Sequence, residues 1–342
     1  MRQLLCKSFI LNLLLLAAVL CSQAQQLTIL DSGRACSLRG LSVVNAATFW
    51  ASGSQGTVLH SLDGGKTLRW QTLKGYETRD FRSVVALTAG TALVMAVDNP
   101  ALILKTTDTG RTWKTVYEKQ LPGIFLDAMA FEDQEHGYCV GDPIDGRFWI
   151  LETLDGGNTW AEYPLLQRPK AEKGEALFAS SGSNIQFVNQ PDYDWGFVTG
   201  GLKSRLILMG KDITVPNKTI TLSLQQGLES TGANSWAVDG SNWMVVGGNF
   251  SKPMQDSSNG CISTTAGASW KTLPETLGYK SSIAIWQKGY ISCGTSGVAV
   301  CNREGTAWRE VSKLGFHACA AAPKGKVVYF VGPRGRVGKM VL

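Results

Sequence analysis

The chain is expected to be all-β, a seven-bladed β-propeller closed by an N-terminal strand. Three observations predict this: a turn that recurs at a nearly fixed period, a polar residue that recurs ahead of an apolar strand, and a strand-like segment standing alone before the first repeat. The clearest copy of the turn is Thr153-Leu154-Asp155-Gly156-Gly157-Asn158-Thr159-Trp160. Asp155 can accept hydrogen bonds from the backbone amides around it, and the two glycines supply φ > 0. Trp160 opens the returning strand with a large apolar plate. Ser61-Leu62-Asp63-Gly64-Gly65-Lys66-Thr67 and Thr106-Thr107-Asp108-Thr109-Gly110-Arg111-Thr112-Trp113 repeat the pattern, so the three aspartates lie 45 and 47 residues apart. Two worn copies follow at Ser263–Trp270, which lacks the aspartate, and at Cys301–Trp308, which keeps little beyond Gly305 and Trp308. The stretch from Thr153 to Ser263 holds two periods, so one copy has decayed.

Taken in order, Met1 to Ala24 reads as a signal peptide. Arg2 and Lys7 precede an apolar run from Ile10 to Leu20, and Ser22-Gln23-Ala24 offers small residues for cleavage. The run is short for a membrane span, which favours export to the periplasm or beyond. Lipidation of Cys21 is the rival reading, disfavoured by the bulky Leu20 before it. The remainder, 25–342, reads as one domain without linkers or charge blocks. Gln26 to Leu30 is the lone strand. The repeats then run 39–72, 82–117, 127–163, 175–224, 234–273, 280–311 and 317–342. The last has room for only three strands, so the lone segment supplies its fourth and hides two sheet edges.

Composition excludes several classes. The formal charge is +6, and +4 without Arg2 and Lys7, too mild to suggest nucleic acid. Six cysteines remain beyond residue 24, all in strand-like apolar settings, and are expected to be buried free thiols. No Cys/His spacing resembles a zinc site, and only three histidines exist. No cofactor fingerprint follows a strand, and no metal or cofactor is expected.

Aligning the repeats puts Arg39, Arg82, Asp127, Glu175, Asn234, Lys280 and His317 at the starts of the innermost strands, around the channel mouth on the face opposite the Asp-bearing turns. The loops between second and third strands open on the same face. They add Asp142, Asp145 and Arg147, then Lys203 and Arg205, then Lys252 in a long loop, then Arg334. Such a rim suits an anionic or hydroxyl-rich ligand, because guanidinium forks hold carboxylates and sugars bidentately. Asp127 and Glu175 are the candidate catalytic pair, since glycoside hydrolysis needs two carboxylates at a set separation. The competing reading is that both simply pair with rim cations. Asp63, Asp108 and Asp155 are structural, and Trp113, Trp160, Trp270 and Trp308 pack between blades.

The S/T-x-D-x-G-x-T-W turn resembles the Asp-box, or BNR repeat, of sialidases, sortilin-type receptors and xyloglucanases. Over nearly the whole chain beyond residue 24 the sequence is similar to the photosystem II stability/assembly factors and their secreted bacterial relatives. Val140-Gly141-Asp142-Pro143-Ile144-Asp145-Gly146-Arg147-Phe148 and Gly174-Glu175-Ala176 carry the likeness to the bacterial branch. The resemblance implies an exported, monomeric, non-catalytic binding or assembly propeller whose charged mouth holds a protein or an anionic or glycan ligand. A secreted sialidase-like glycoside hydrolase is the alternative, and an oxidoreductase the third. Against the sialidase reading, no Phe/Tyr-Arg-Ile-Pro segment opens the propeller.

Overall fold

The computed structural model describes residues 26–188, 190–212, 214–286, 289–323 and 326–341. The expected signal segment and its two cysteines lie outside the described residues. Seven antiparallel sheets stand around one axis, each with an innermost strand followed by three that step outward. The innermost strands are Leu38–Val43, Phe81–Ala86, Leu126–Phe131, Ile185–Phe187, Thr231–Asp239, Ser282–Trp286 and Ala318–Ala321. Blade 7 is completed by Leu27–Asp31, which pairs antiparallel with Val337–Val341, so the ring closes as the sequence predicts. Among the described residues no helix is long and apolar enough to cross a membrane.

Burial follows position in the blade. In blade 1 the two middle strands, Phe49–Gly53 and Thr57–Ser61, are buried at every residue, whereas the outer Arg69–Thr72 is mostly exposed. A middle strand has a neighbouring blade on each face, so both sets of alternating side chains are apolar or small. Among the described residues the apolar clusters accordingly number seven, one per interface. Trp50, Val58, Val94 and Leu102 join blades 1 and 2, and Phe49, Leu59, Tyr329 and Val331 join blades 7 and 1. The four predicted tryptophans pack at such interfaces. Trp113 meets Trp50 edge-on at 6.2 Å between ring centroids, and Trp160 meets Phe131 at 5.8 Å. Trp270 and Trp308 join the clusters between blades 4 and 5 and between 5 and 6.

Closer to the axis, serines stitch blade to blade. The Ser42, Ser83, Ser235 and Ser282 hydroxyls each accept an inner-strand amide from the next blade, those of Ala86, Met129, Ile283 and Cys319, at 3.0 to 3.2 Å. The six described cysteines are all buried, with no disulfide between them.

The recurrent turns bond as their side chains require. Asp155 Oδ1 accepts the Thr159 amide at 3.0 Å and Oδ2 the Thr159 hydroxyl at 2.7 Å, while Thr153 Oγ1 accepts the Gly157 amide at 2.9 Å. In the worn copies Thr265 Oγ1 and Asn302 Oδ1 take the aspartate's place, accepting the Ser269 and Thr306 amides at 2.9 Å. Two lysines tie these turns to the preceding blade: Lys105 Nζ donates to Gly156 O, and Lys339 Nζ to Gly64 O, each at 2.8 Å.

One repeat departs from the expected layout. The innermost strand of blade 4 is Ile185–Phe187, not a strand beginning at Glu175. Glu175–Ala176 instead pairs with Gly200–Gly201 in a small ribbon attached to blade 5. The residues after it form a strap that crosses the axis.

Candidate functional site

Backbone irregularity makes the mouth. The pairing of first and second strands shifts register between Leu38 and Gly40, Phe81 and Ser83, Leu126 and Ala128, and Ala233 and Ser235. The residues left out of register are Arg39, Arg82, Asp127 and Asn234, four of the seven that the repeat alignment selects. A bulge leaves one residue unpaired and turns its side chain out of the pleat, and here it turns toward the axis.

These bulges open on a cavity of about 430 Å³, with Arg39, Arg82, Asn234 and His317 in its wall and Phe125, Phe250 and Tyr279 beside them. The strap forms its floor, from Leu177 to Ser180. Leu177 donates its amide to Asp142 Oδ1 at 2.8 Å, Ser180 Oγ donates to Asn234 Oδ1 at 3.0 Å, and Ser181 Oγ to Ser281 O at 2.7 Å. The strap is thereby held by blades 3, 5 and 6 at once. On its other side a second cavity, about 330 Å³, is lined by Ser181, Gly182 and Ser183. The axis is therefore divided.

The upper cavity is electropositive. The Arg82 guanidinium pairs with Asp80 at 2.8 Å, but no hydrogen bond or ion pair holds the Arg39 guanidinium among the described residues. Burial, then the nearby Arg82, lowers its pKa, so the site already disfavours its charge. His317 is pushed down to about 3, first by burial and then by Arg39, Arg82 and Arg336, and is neutral at ordinary pH. Asp142 is the one carboxylate in the cavity wall, and burial raises its pKa to about 6. Asp127 lies behind it, wholly buried. Burial and then Asp142 raise its pKa well above the usual carboxylate range.

Of the predicted site residues, Arg39, Arg82, Asp142 and His317 meet in this cavity. Asp127 converges with them but is sealed off. Glu175 does not take the expected place on blade 4: it is buried against Arg205, which reaches it with Nε at 2.7 Å and with a second guanidinium N–H, and Thr199 Oγ1 donates at 2.5 Å. Asp127 and Glu175 therefore offer no exposed acid pair. Lys280 is also displaced. Its ammonium is turned into the protein, bound to Leu277 O at 2.5 Å and Ser296 Oγ at 2.8 Å, and burial lowers its pKa to about 8. Arg147 and Arg205 line a separate groove, about 440 Å³, at the outer edge of blades 3 and 4. Asp145, Lys203, Lys252 and Arg334 are exposed on the loops around the mouth, outside the cavity. Asp63, Asp108 and Asp155 are structural, in turns at the opposite end of the blades.

Sequence reasoning missed Arg336, the strap and the aromatic residues. Two of the aromatics had a signal: Tyr279 stands immediately before Lys280, and Phe125 two residues before Asp127. Among the described residues no group of three His, Cys, Asp or Glu side chains is placed to hold a metal ion.

Fold, turns and mouth define a seven-bladed BNR-repeat propeller with a concave, cation-lined pocket at one end of its axis. Residues 25–127 match the family model described as photosynthesis system II assembly factor YCF48. Among solved structures, YCF48 bound to D1 peptide superposes with a TM-score of 0.66 at 14% identity, covering 94% of this chain and 98% of that one. YCF48 from Cyanidioschyzon merolae gives 0.62 at 14% identity, covering 92% and 99%. The chain thus resembles the photosystem II assembly factors in fold and in its first repeats. No curated protein matches it.

Proposed function

We propose that this protein is an exported, monomeric, non-catalytic binding propeller that holds a segment of a protein partner at its mouth by an anionic group. The observation that carries this reading is the Arg39 guanidinium, which among the described residues has no carboxylate in direct contact and stands beside Arg82 in a concave wall. A partly buried cation is stabilised most by a ligand that supplies the missing negative charge. That a YCF48 structure contains a peptide supports a polypeptide over a glycan as the ligand. The glycosidase alternative loses its acid pair, because Asp127 is sealed and Glu175 is clamped by Arg205.

The test is binding of acidic, fluorescently labelled peptides to the mature protein, with Arg39→Glu and Arg82→Glu as variants. Affinity is expected to fall at least tenfold in Arg39→Glu and to weaken as salt is raised. Unchanged binding in both variants would overturn the reading. Export is checked separately, by the N-terminal mass of the protein recovered outside the cytoplasm.

A further inference from the structure

Only half of the mouth is polar. In the same cavity wall as the arginines, Phe250 meets Phe178 edge-on at 5.5 Å and Tyr279 at 6.5 Å. Phe250 is nonetheless 45% exposed, an unusual state for a ring with two aromatic neighbours. From it an apolar surface extends outward over three loops. Met254 is 76% exposed, Leu228 55% and Leu202 39%. Those loops are fastened edge to edge by backbone hydrogen bonds, Gly227 N–H to Gly201 O, Phe250 N–H to Ser230 O and Tyr279 N–H to Pro253 O. The apolar side chains are therefore carried on one continuous rim rather than scattered.

We infer that the mouth recognises a composite motif: an extended segment with a carboxylate beside a large apolar side chain, the acid toward Arg39 and the ring or aliphatic chain against Phe250, with further apolar residues running out toward Met254. This rests on the reading that the pocket holds an anionic polypeptide segment, and it adds the second half of the specificity. Charge complementarity fixes the direction, since Arg39 and Arg82 draw the acid and the rings of Phe178 and Phe250 draw the apolar side chain. An apolar group is needed as well as charge. An exposed ring gains by being covered from water, which adds to what the carboxylate contributes at Arg39.

The experiment uses four labelled eight-residue peptides, identical except at two adjacent central positions: Glu-Phe, Glu-Ser, Ser-Phe and Ser-Ser. Anisotropy titrations of the mature full-length protein should show Glu-Phe binding at least tenfold more tightly than Glu-Ser. Phe250→Ser should remove that advantage, and Met254→Ser should reduce it with less disturbance to the fold. Equal affinity for Glu-Phe and Glu-Ser sinks the composite motif and leaves the anion-binding reading standing. Failure of all four peptides overturns both. Preference for Ser-Phe over Glu-Phe would show an apolar groove without charge recognition and also overturn both.

Discussion

Asp142 sits where two demands on a carboxylate conflict. Its Oδ1 must accept the Leu177 amide that anchors the strap, yet burial makes its charge costly and raises its pKa to about 6. The folded protein therefore binds a proton at Asp142 that the unfolded chain, with an aspartate near 3.9, gives up earlier. From about pH 4 to pH 6 the native state binds more protons, so stability falls as pH rises through that window and stays reduced above it. Asp142→Asn keeps an acceptor for Leu177 and removes the charge. It is expected to flatten this part of the stability–pH curve and to gain on the order of 2 kcal/mol near pH 7, as measured by urea unfolding from pH 4 to 8. The turn aspartates behave oppositely. Asp108 is held at about 2, first by the Thr112 hydroxyl and then by its amide, so its contribution is complete above pH 4 and disappears as pH falls through 2. Asp108→Ala should lower the melting temperature at pH 7 and have little effect near pH 2, as followed by circular dichroism.

At the scale of elements, the strap decides what the mouth becomes. Its crossing depends on Gly182, which has φ +67° and lies against blade 2, where an added Cβ would come within 3.0 Å of Ser83 Oγ. Gly182→Val forces a β-branched residue into the left-handed region and against that serine. It should cost about 2 kcal/mol or more, read as a shift in denaturation midpoint, and should also weaken binding of acidic peptides by tilting the cavity floor. The strap is the element that was hardest to read from sequence. Glu175 followed by Ala176-Leu177-Phe178-Ala179 has the same outline as Asp127 followed by Ala128-Met129-Ala130-Phe131. A segment buried across the axis needs the same small and apolar side chains as a strand lining it, and the true inner strand of blade 4 is only three residues long. The turns were legible because their bonding demands particular side chains at particular places. Arg39, Arg82, Asp127 and Asn234 were legible because bulges recur with the repeat. Lys280 shares their position in sequence, but its ammonium finds Leu277 O and Ser296 Oγ inside the protein, which no alignment registers.

For the whole molecule, stability is divided among seven interfaces rather than gathered in one centre, and the ring holds only while each is closed. The seam is Leu27–Asp31 on Val337–Val341. Removing residues 26–31 should leave the last strand of blade 7 with an unpaired edge, lower the melting temperature and cause concentration-dependent association by edge pairing, which light scattering measures. The Lys339 bond to Gly64 O and the Tyr329 hydroxyl bond to Ala46 O, at 2.7 Å, would still tie blade 7 to blade 1.

The crossing strap has one more consequence. A propeller with an open axis is a pipe, and this one is a cup. Whatever enters the arginine-lined end must leave by the way it came, so a bulky protein seated over the brim would govern the traffic of anything held beneath it. The opposite end, walled off by Ser181 to Ser183, can be altered without changing what the brim admits.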